Sequence, residues 1–269
     1  MSDPYFEAII LGIVQGIAEF LPISSSGHLV IVETLLGMKA ETNLLLDVML
    51  HVGTLGSILV VYRKDVFALL HQPKLCAAIV VGTLPAVVIG LSLKDFFEAA
   101  FGNPLLVGCC LLVTAVLLIA GQRLERAQRQ LDALDLKRAF GIGLFQAFAI
   151  LPGVSRSGST IAGGLILGLD RQSAATFSFL LAIPAIGGAA VLTLKDVFDA
   201  ATAATAASAT PATIPWGAIL AGTVASFFVG WMSLRTLLRL ITQRRLHWFA
   251  AYCAMAGLAV IVWQLSVRT

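Results

Sequence analysis

The chain has 269 residues, of which 58% are hydrophobic and 12% charged, with a formal net charge of +3 and a mean hydropathy of +0.93. A soluble domain carries about 25% charged residues, so a water-soluble globular protein is excluded, and the charge is too small to point to nucleic acid. Apolar runs of about 20 residues without alternation specify membrane-spanning helices rather than a barrel. The Met1-Ser2-Asp3-Pro4 start lacks a basic region, so no cleavable signal peptide is expected. Four cysteines, Cys76, Cys109, Cys110 and Cys253, lie in apolar runs without metal-ligand spacing and read as small packing residues.

Ala8 to Leu21 predicts a helix of about 21 Å, short of a hydrocarbon core of about 30 Å. Pro22 and Ser24-Ser25-Ser26-Gly27 break it, and Gly27 to Leu36 is again too short to cross. Two short limbs around a polar break predict a re-entrant hairpin, with irregular backbone at membrane depth buried in protein or lining a cavity. Full spans are expected at 43–62, 74–93 and 103–121, then a charged segment, then a second hairpin. That hairpin runs from Ala139 to Leu151, breaks at Pro152 to Gly158 and returns from Ser159 to Leu169. Spans follow at 174–194, 215–237 and 246–266, with Asp199 to Pro211 an Ala/Thr-rich connector expected to be a loop.

A shift of 131 residues superposes Gly12 on Gly143, Gln15 on Gln146, Ala18 on Ala149 and Ser24 on Ser155. It also superposes Ser26 on Ser157, Gly27 on Gly158, Leu36 on Leu167 and Gly37 on Gly168. The expected fold is all-α: a single membrane domain, 1–269, made of repeats 1–121 and 137–269 joined by the charged segment 122–136. Each repeat holds one hairpin and three spans, an odd number of crossings, so the second should be inverted relative to the first. Basic residues set the orientation. With 63–73, 122–138 and 238–245 inside, thirteen Lys and Arg fall on the cytoplasmic side, Arg126 among them. Lys39, Lys94, Lys195 and Arg268 fall outside, which is the positive-inside pattern. Trp216, Trp248 and Trp263 fall near span ends, as interfacial residues should.

Each second limb begins at a break, so its free amides and positive dipole end point into the membrane and favour an anion. Ser24, Ser25, Ser26 and Gly27 furnish one such end; Ser155, Arg156, Ser157, Gly158 and Thr160 furnish the other. Arg156 adds a forked cation suited to phosphate oxygens. Gln15 and Glu19 share a helix face and could present oxygens to one cation. His28, one turn beyond Ser24 and Ser25, is placed to move a proton. The structural alternatives are serines that only satisfy backbone at the breaks, and an Arg156–Glu19 bridge that only holds the hairpins together. Asp47 and His51 are read as a helix–helix polar clamp, with membership of the site the alternative.

Gln15-x-x-x-Glu19, Leu21-Pro-Ile-Ser-Ser-Ser-Gly-His28 and Pro152-Gly-Val-Ser-Arg-Ser-Gly-Ser-Thr160 resemble the bacitracin-resistance family of undecaprenyl-pyrophosphate phosphatases. The resemblance extends over Asp47 to Thr54 and Phe177 to Pro184. It implies hydrolysis of undecaprenyl pyrophosphate to undecaprenyl phosphate, recycling the lipid carrier of cell-wall synthesis, in a multi-pass protein of the bacterial inner membrane. It also implies a divalent cation, Mg²⁺ or Ca²⁺, and functional roles for Glu19, Ser25, His28 and Arg156. Many members carry Glu where this chain has Gln15, which puts a second metal-binding carboxylate in doubt. The attacking group is left open among Ser24, Ser25, Ser26 and a water. The site is expected to open to the periplasmic or extracellular side, and self-association as a homodimer is left open. A lipid-phosphate transporter or flippase is the rival reading, since inverted repeats with broken helices are also a transporter pattern.

Overall fold

A computed structural model of the chain describes residues 3–38, 44–101, 103–125, 129–204 and 214–268. Among these residues every regular element is helical. The first two helices are α1 (Pro4–Ala18) and α2 (Ser25–Leu36), followed by α3 (Leu44–Val61), α4 (Arg63–Leu69), α5 (Pro73–Ser92) and α6 (Lys94–Phe101). Next come α7 (Pro104–Arg123), a 3₁₀ turn at Leu131–Ala133, α8 (Leu136–Phe148) and α9 (Arg156–Ile166). The last three are α10 (Arg171–Ala204), α11 (Trp216–Thr242) and α12 (Leu246–Arg268). Six of them, α3, α5, α7, α10, α11 and α12, are long and apolar enough to cross a membrane, and they match the six expected spans within a few residues. Their outward faces carry exposed apolar side chains such as Val80, Val88, Val116, Leu220 and Val262, so lipid is the solvent this surface suits.

Two corrections concern the connections. Asp199 to Ala204, expected in a loop, continues α10 as helix, in keeping with the high helix propensity of alanine. The rest of that connector, with Lys39 and Arg126 of the charge pattern, lies outside the described residues. The short helices α4 and α6 were not foreseen; α6 carries its apolar Phe97 and Ala100 inward and Lys94, Asp95 and Phe96 outward.

Close helix crossings are made by glycine. A side chain at Gly12 would stand 2.3 Å from the Gly222 carbonyl oxygen, and one at Gly143 would stand 2.3 Å from that of Gly82. Gly108 faces Gly257 in the same way. Small residues let membrane helices approach until their backbones touch, where dispersion replaces the missing hydrophobic drive. Helix α1 accordingly packs on α11, α8 on α5 and α7 on α12, while α3 packs on α10 and α11.

The principal core gathers Phe20, Ile58, Phe177, Phe179, Leu181 and Leu234, with Phe20 edge-on to Phe179 at 5.8 Å. One end of the bundle is polar. There Arg171 pairs with Glu125 and also bonds the Ile241 carbonyl, and Gln122 bonds the backbone of His247. A cleft of about 520 Å³ at this end is lined by Asp65, Gln72, Gln130, Asp132, Asp170 and Gln172. No residue of the expected site lines it.

Candidate active site at the meeting of two helix breaks

Both breaks are built by the same device. Helix α2 starts at Ser25 with Ser24 as its N-cap, whose hydroxyl accepts from the Gly27 amide. Helix α9 starts at Arg156 with Ser155 as its N-cap, whose hydroxyl accepts from the Gly158 amide at 3.1 Å. A capping hydroxyl satisfies one of the amides that the first turn leaves without a partner.

The two breaks touch. The Gly153 amide donates to the Ser24 hydroxyl at 3.1 Å, and the Ser157 hydroxyl donates to the Leu21 carbonyl at 3.4 Å. A side chain at Gly27 would stand 3.0 Å from the Gly153 Cα, and one at Gly158 would stand 3.2 Å from Pro22. Thr114 of α7 braces the second break: its hydroxyl donates to the Gly153 carbonyl and accepts from the Ser155 amide, both at 2.9 Å. Gly153 has φ +95°, and a Cβ there would lie 2.4 Å from the Val107 carbonyl oxygen. Only glycine meets both conditions.

Glu19, 6% exposed, is the hub. Its Oε2 accepts from the Ser25 hydroxyl at 2.7 Å and from Gln15 Nε2 at 3.1 Å. Its Oε1 accepts from Arg156 Nη2 at 2.5 Å. His51 Nε2 stands 3.9 Å from Oε2. Arg156 is steadied by Nη1, which donates to the Ser178 carbonyl at 3.4 Å; the Ser178 hydroxyl in turn contacts that of Thr160 at 2.6 Å.

The expected residues therefore separate into two groups. Ser24, Ser155, Ser157 and Thr160 are buried, and their hydroxyls serve caps, carbonyls and one another. Ser25, Ser26 and Arg156 are partly exposed, and of the three candidate serines Ser25 is the one whose proton is directed at a carboxylate. His28 is not turned toward Ser25. Its Nδ1 donates to the Ser24 carbonyl at 2.8 Å, and its Nε2 then accepts from the Tyr252 hydroxyl at 2.8 Å, the two rings stacked at 5.6 Å. The place expected for an imidazole next to the Ser25 hydroxyl belongs to Glu19.

His51 faces Glu19 rather than clamping through the Asp47 carboxyl, which lies against Glu33. Tyr252 and Thr114 carried no signal in the sequence, and Ser178 only as part of the Phe177–Pro184 segment of the resemblance. They reach the site from α12, α7 and α10, and only packing brings them there.

A multi-pass helical membrane protein with a serine–carboxylate pair beside an arginine, held between two broken helix pairs, is what the fold and site define. The bacitracin resistance protein BacA family matches residues 8–259. The chain belongs to that family. Among curated relatives, the undecaprenyl-diphosphatase of Rhodopirellula baltica is 50% identical over 258 residues, spanning 96% of this chain and 97% of its own. Those of Carboxydothermus hydrogenoformans and Bacteroides thetaiotaomicron are 39% and 40% identical, each over 97% of this chain and 98% and 99% of their own.

Proposed function

We propose that this protein is an undecaprenyl-diphosphatase, cleaving undecaprenyl pyrophosphate to undecaprenyl phosphate and inorganic phosphate and so supporting cell-wall synthesis and bacitracin resistance. The observation that carries the reading is the 2.7 Å hydrogen bond from Ser25 to Glu19, with Arg156 on the other carboxylate oxygen. A carboxylate next to a hydroxyl is a base next to a nucleophile, and the adjacent guanidinium is a fixed fork for phosphate oxygens.

Arg156 binds the pyrophosphate, exchanging one carboxylate contact for phosphate oxygens. Ser25 attacks the terminal phosphorus, or orients the water that does, as its proton passes to Glu19. The bond to the bridging oxygen breaks and the lipid monophosphate leaves; where Ser25 is the nucleophile, water then hydrolyses the Ser25 phosphoester, releasing inorganic phosphate and returning a proton to the Ser25 oxygen. His28, locked by the Ser24 carbonyl and Tyr252, acts at the rim of the site rather than on the Ser25 hydroxyl.

A divalent cation, Mg²⁺ or Ca²⁺, fits beside Glu19. Gln15 is fully buried, and its Oε1 has no hydrogen-bond partner among the described residues. An oxygen left this way costs about 1–3 kcal/mol unless something binds it. Gln15 and Glu19 would hold the ion, which would offset the pyrophosphate charge. No three His, Cys, Asp or Glu side chains form a metal-binding group among the described residues. The Gln15 amide oxygen would therefore complement the single carboxylate of Glu19.

In the finer architecture, α1–α2 and α8–α9 are re-entrant hairpins of an inverted repeat. The pairing of α1 with α11 and of α8 with α5 supports this, because each hairpin packs on a span of the other half. The charge pattern supports entry of the first hairpin from the periplasmic or extracellular face of the inner membrane. An impermeant thiol reagent should label Ser25→Cys, in a background free of native cysteines, in intact spheroplasts; labelling only in inverted vesicles reverses the orientation.

The deciding assay is phosphate release from undecaprenyl pyrophosphate by purified protein, with and without chelator, for wild type and the Glu19, Ser25, His28 and Arg156 variants. A lipid transporter would bind the lipid and release no phosphate.

A further inference from the structure

We propose that Thr114, on α7 and outside both broken segments, is the positioning residue that sets Arg156 against Ser25. The proposal rests on the reading that these two groups act together on a pyrophosphate. Three observations carry it.

The first is where the hydroxyl makes its bonds. A threonine inside a helix can donate to the carbonyl four residues back, as Thr83, Thr223 and Thr236 do here. Thr114 is fully buried in the middle of α7, yet its hydroxyl reaches out of the helix. It donates to the Gly153 carbonyl and accepts from the Ser155 amide, both at 2.9 Å, so its one proton and a lone pair both serve the second break.

The second is what the break needs at that point. Gly153, at φ +95°, and the buried Val154 and Ser155 lie outside the helices, where no regular ladder pairs their backbone groups. Buried amides and carbonyls require partners. Among the described residues Thr114 is the partner of both the Gly153 carbonyl and the Ser155 amide.

The third is where the chain leads from there. On one side Ser155 caps α9 and precedes Arg156, so anchoring its amide fixes the start of the helix that carries the guanidinium. On the other, Gly153 donates its own amide to the Ser24 hydroxyl at 3.1 Å, and Ser24 caps the helix that Ser25 begins. Val107, two turns before Thr114 on α7, borders both breaks: its Cγ1 would stand 3.1 Å from a Cβ at Gly27, and its carbonyl abuts Gly153. Helix α7 is thus the common wall, and Thr114 is its polar contact with the second break. Misplacing a group by about 1 Å can cost about 100-fold in rate. Removing this hydroxyl frees the guanidinium to shift relative to the serine.

The test is phosphate release from undecaprenyl pyrophosphate by the full chain purified in detergent, assayed well below the melting temperature of each variant. Thr114→Ser keeps the hydroxyl, and Thr114→Val keeps the shape of the side chain without it. Thr114→Ser should stay within about threefold of wild type, whereas Thr114→Val should lose about 10- to 100-fold in kcat/KM. On an Arg156→Lys background the guanidinium fork is already gone. There Thr114→Val should cost less than about threefold, because residues that act through one another are not additive. An equal loss on both backgrounds makes Thr114 a structural brace alone and overturns the proposal. So does a folded Thr114→Val protein within about threefold of wild type. If Thr114→Val does not elute as a monodisperse protein, Thr114→Cys replaces it, since a thiol is a weak donor and acceptor. Its kcat/KM should lie at least about threefold below that of Thr114→Ser, and equality of the two overturns the proposal. Wild-type protein that releases no phosphate overturns the proposed function beneath it.

Discussion

Replacing Arg156 separates what the guanidinium does for the reaction from what it does for the fold. Lysine keeps the charge but offers a single ammonium, whereas Arg156 reaches both Glu19 Oε1 and the Ser178 carbonyl and has a planar edge for phosphate. Each charge-assisted hydrogen bond contributes about 1.5–3 kcal/mol. At about 1.4 kcal/mol per tenfold in rate, losing one bond lowers kcat/KM by about 10- to 100-fold in Arg156→Lys. Arg156→Ala loses two, a fall of about 10²- to 10⁴-fold. The alanine variant also leaves Glu19 buried without its cation, which costs about 3–5 kcal/mol of stability. Arg156→Ala combined with Glu19→Gln should recover most of that stability in thermal unfolding while recovering no turnover. Phosphate release measured alongside melting temperature distinguishes the two effects. An Arg156→Lys protein within threefold of wild-type kcat/KM would refute the bidentate role, and an Arg156→Ala protein that melts like wild type would refute the buried pair.

Ser25→Ala should abolish phosphate release with little change in melting temperature, since Ser25 is partly exposed and among the described residues its hydroxyl bonds Glu19 alone. Ser24→Ala should do the reverse, losing a cap worth about 0.5–2 kcal/mol and the bond from Gly153, with residual turnover in whatever protein remains folded. Tyr252→Phe removes the proton donated to His28 Nε2 and should lower kcat about three- to thirtyfold with KM unchanged. A rise in KM with kcat unchanged would instead make Tyr252 a lipid contact. Gly153→Ala should destabilise the protein by about 2 kcal/mol or more, because φ +95° and the Val107 carbonyl both oppose a side chain; an unchanged unfolding temperature contradicts this.

The six spans were legible because hydropathy over about 20 residues is a property of composition, which the bilayer reads directly. Short amphipathic helices such as α4 and α6 have mixed composition, and no run of 18 apolar residues marks them. The chemistry was legible where it is local: Gln15 and Glu19 meet because they are four residues apart on one helix. His28 was misplaced for a local reason as well. Ser24 is the N-cap at φ +72°, and the His28 ring folds back onto the Ser24 carbonyl and across to Tyr252, so its helical spacing from Ser25 does not decide where it points. Contacts between distant segments, such as His28 with Tyr252 across 224 positions or Arg156 with Glu19 across 137, depend on packing that no local pattern encodes. The Arg156–Glu19 bridge, the structural alternative for these two residues, does form. On the proposed function the bridge would serve both roles, because each carboxylate contact is one that a phosphate oxygen could replace.

The shift of 131 residues gives the two breaks a sharper meaning once the caps are known. Ser24 and Ser155 occupy equivalent positions, and both are N-caps that accept from the amide three residues on. The next position in each copy is the first residue of its helix: Ser25 in one, Arg156 in the other. Glu19 answers to Ile150, and Gln15 answers to Gln146, whose amide is buried and unpartnered at both atoms among the described residues. What the copies share is therefore what a helix start needs, a hydroxyl cap and glycine where the breaks touch. What they do not share is the set of reactive groups: a hydroxyl and a carboxylate in one copy, a guanidinium in the other. A pyrophosphate needs attack at one end and charge neutralisation around it, and a single break offers one first-turn position at its apex. Two breaks meeting tip to tip offer two, which is why the hydroxyl and the guanidinium can converge on one carboxylate from opposite helices.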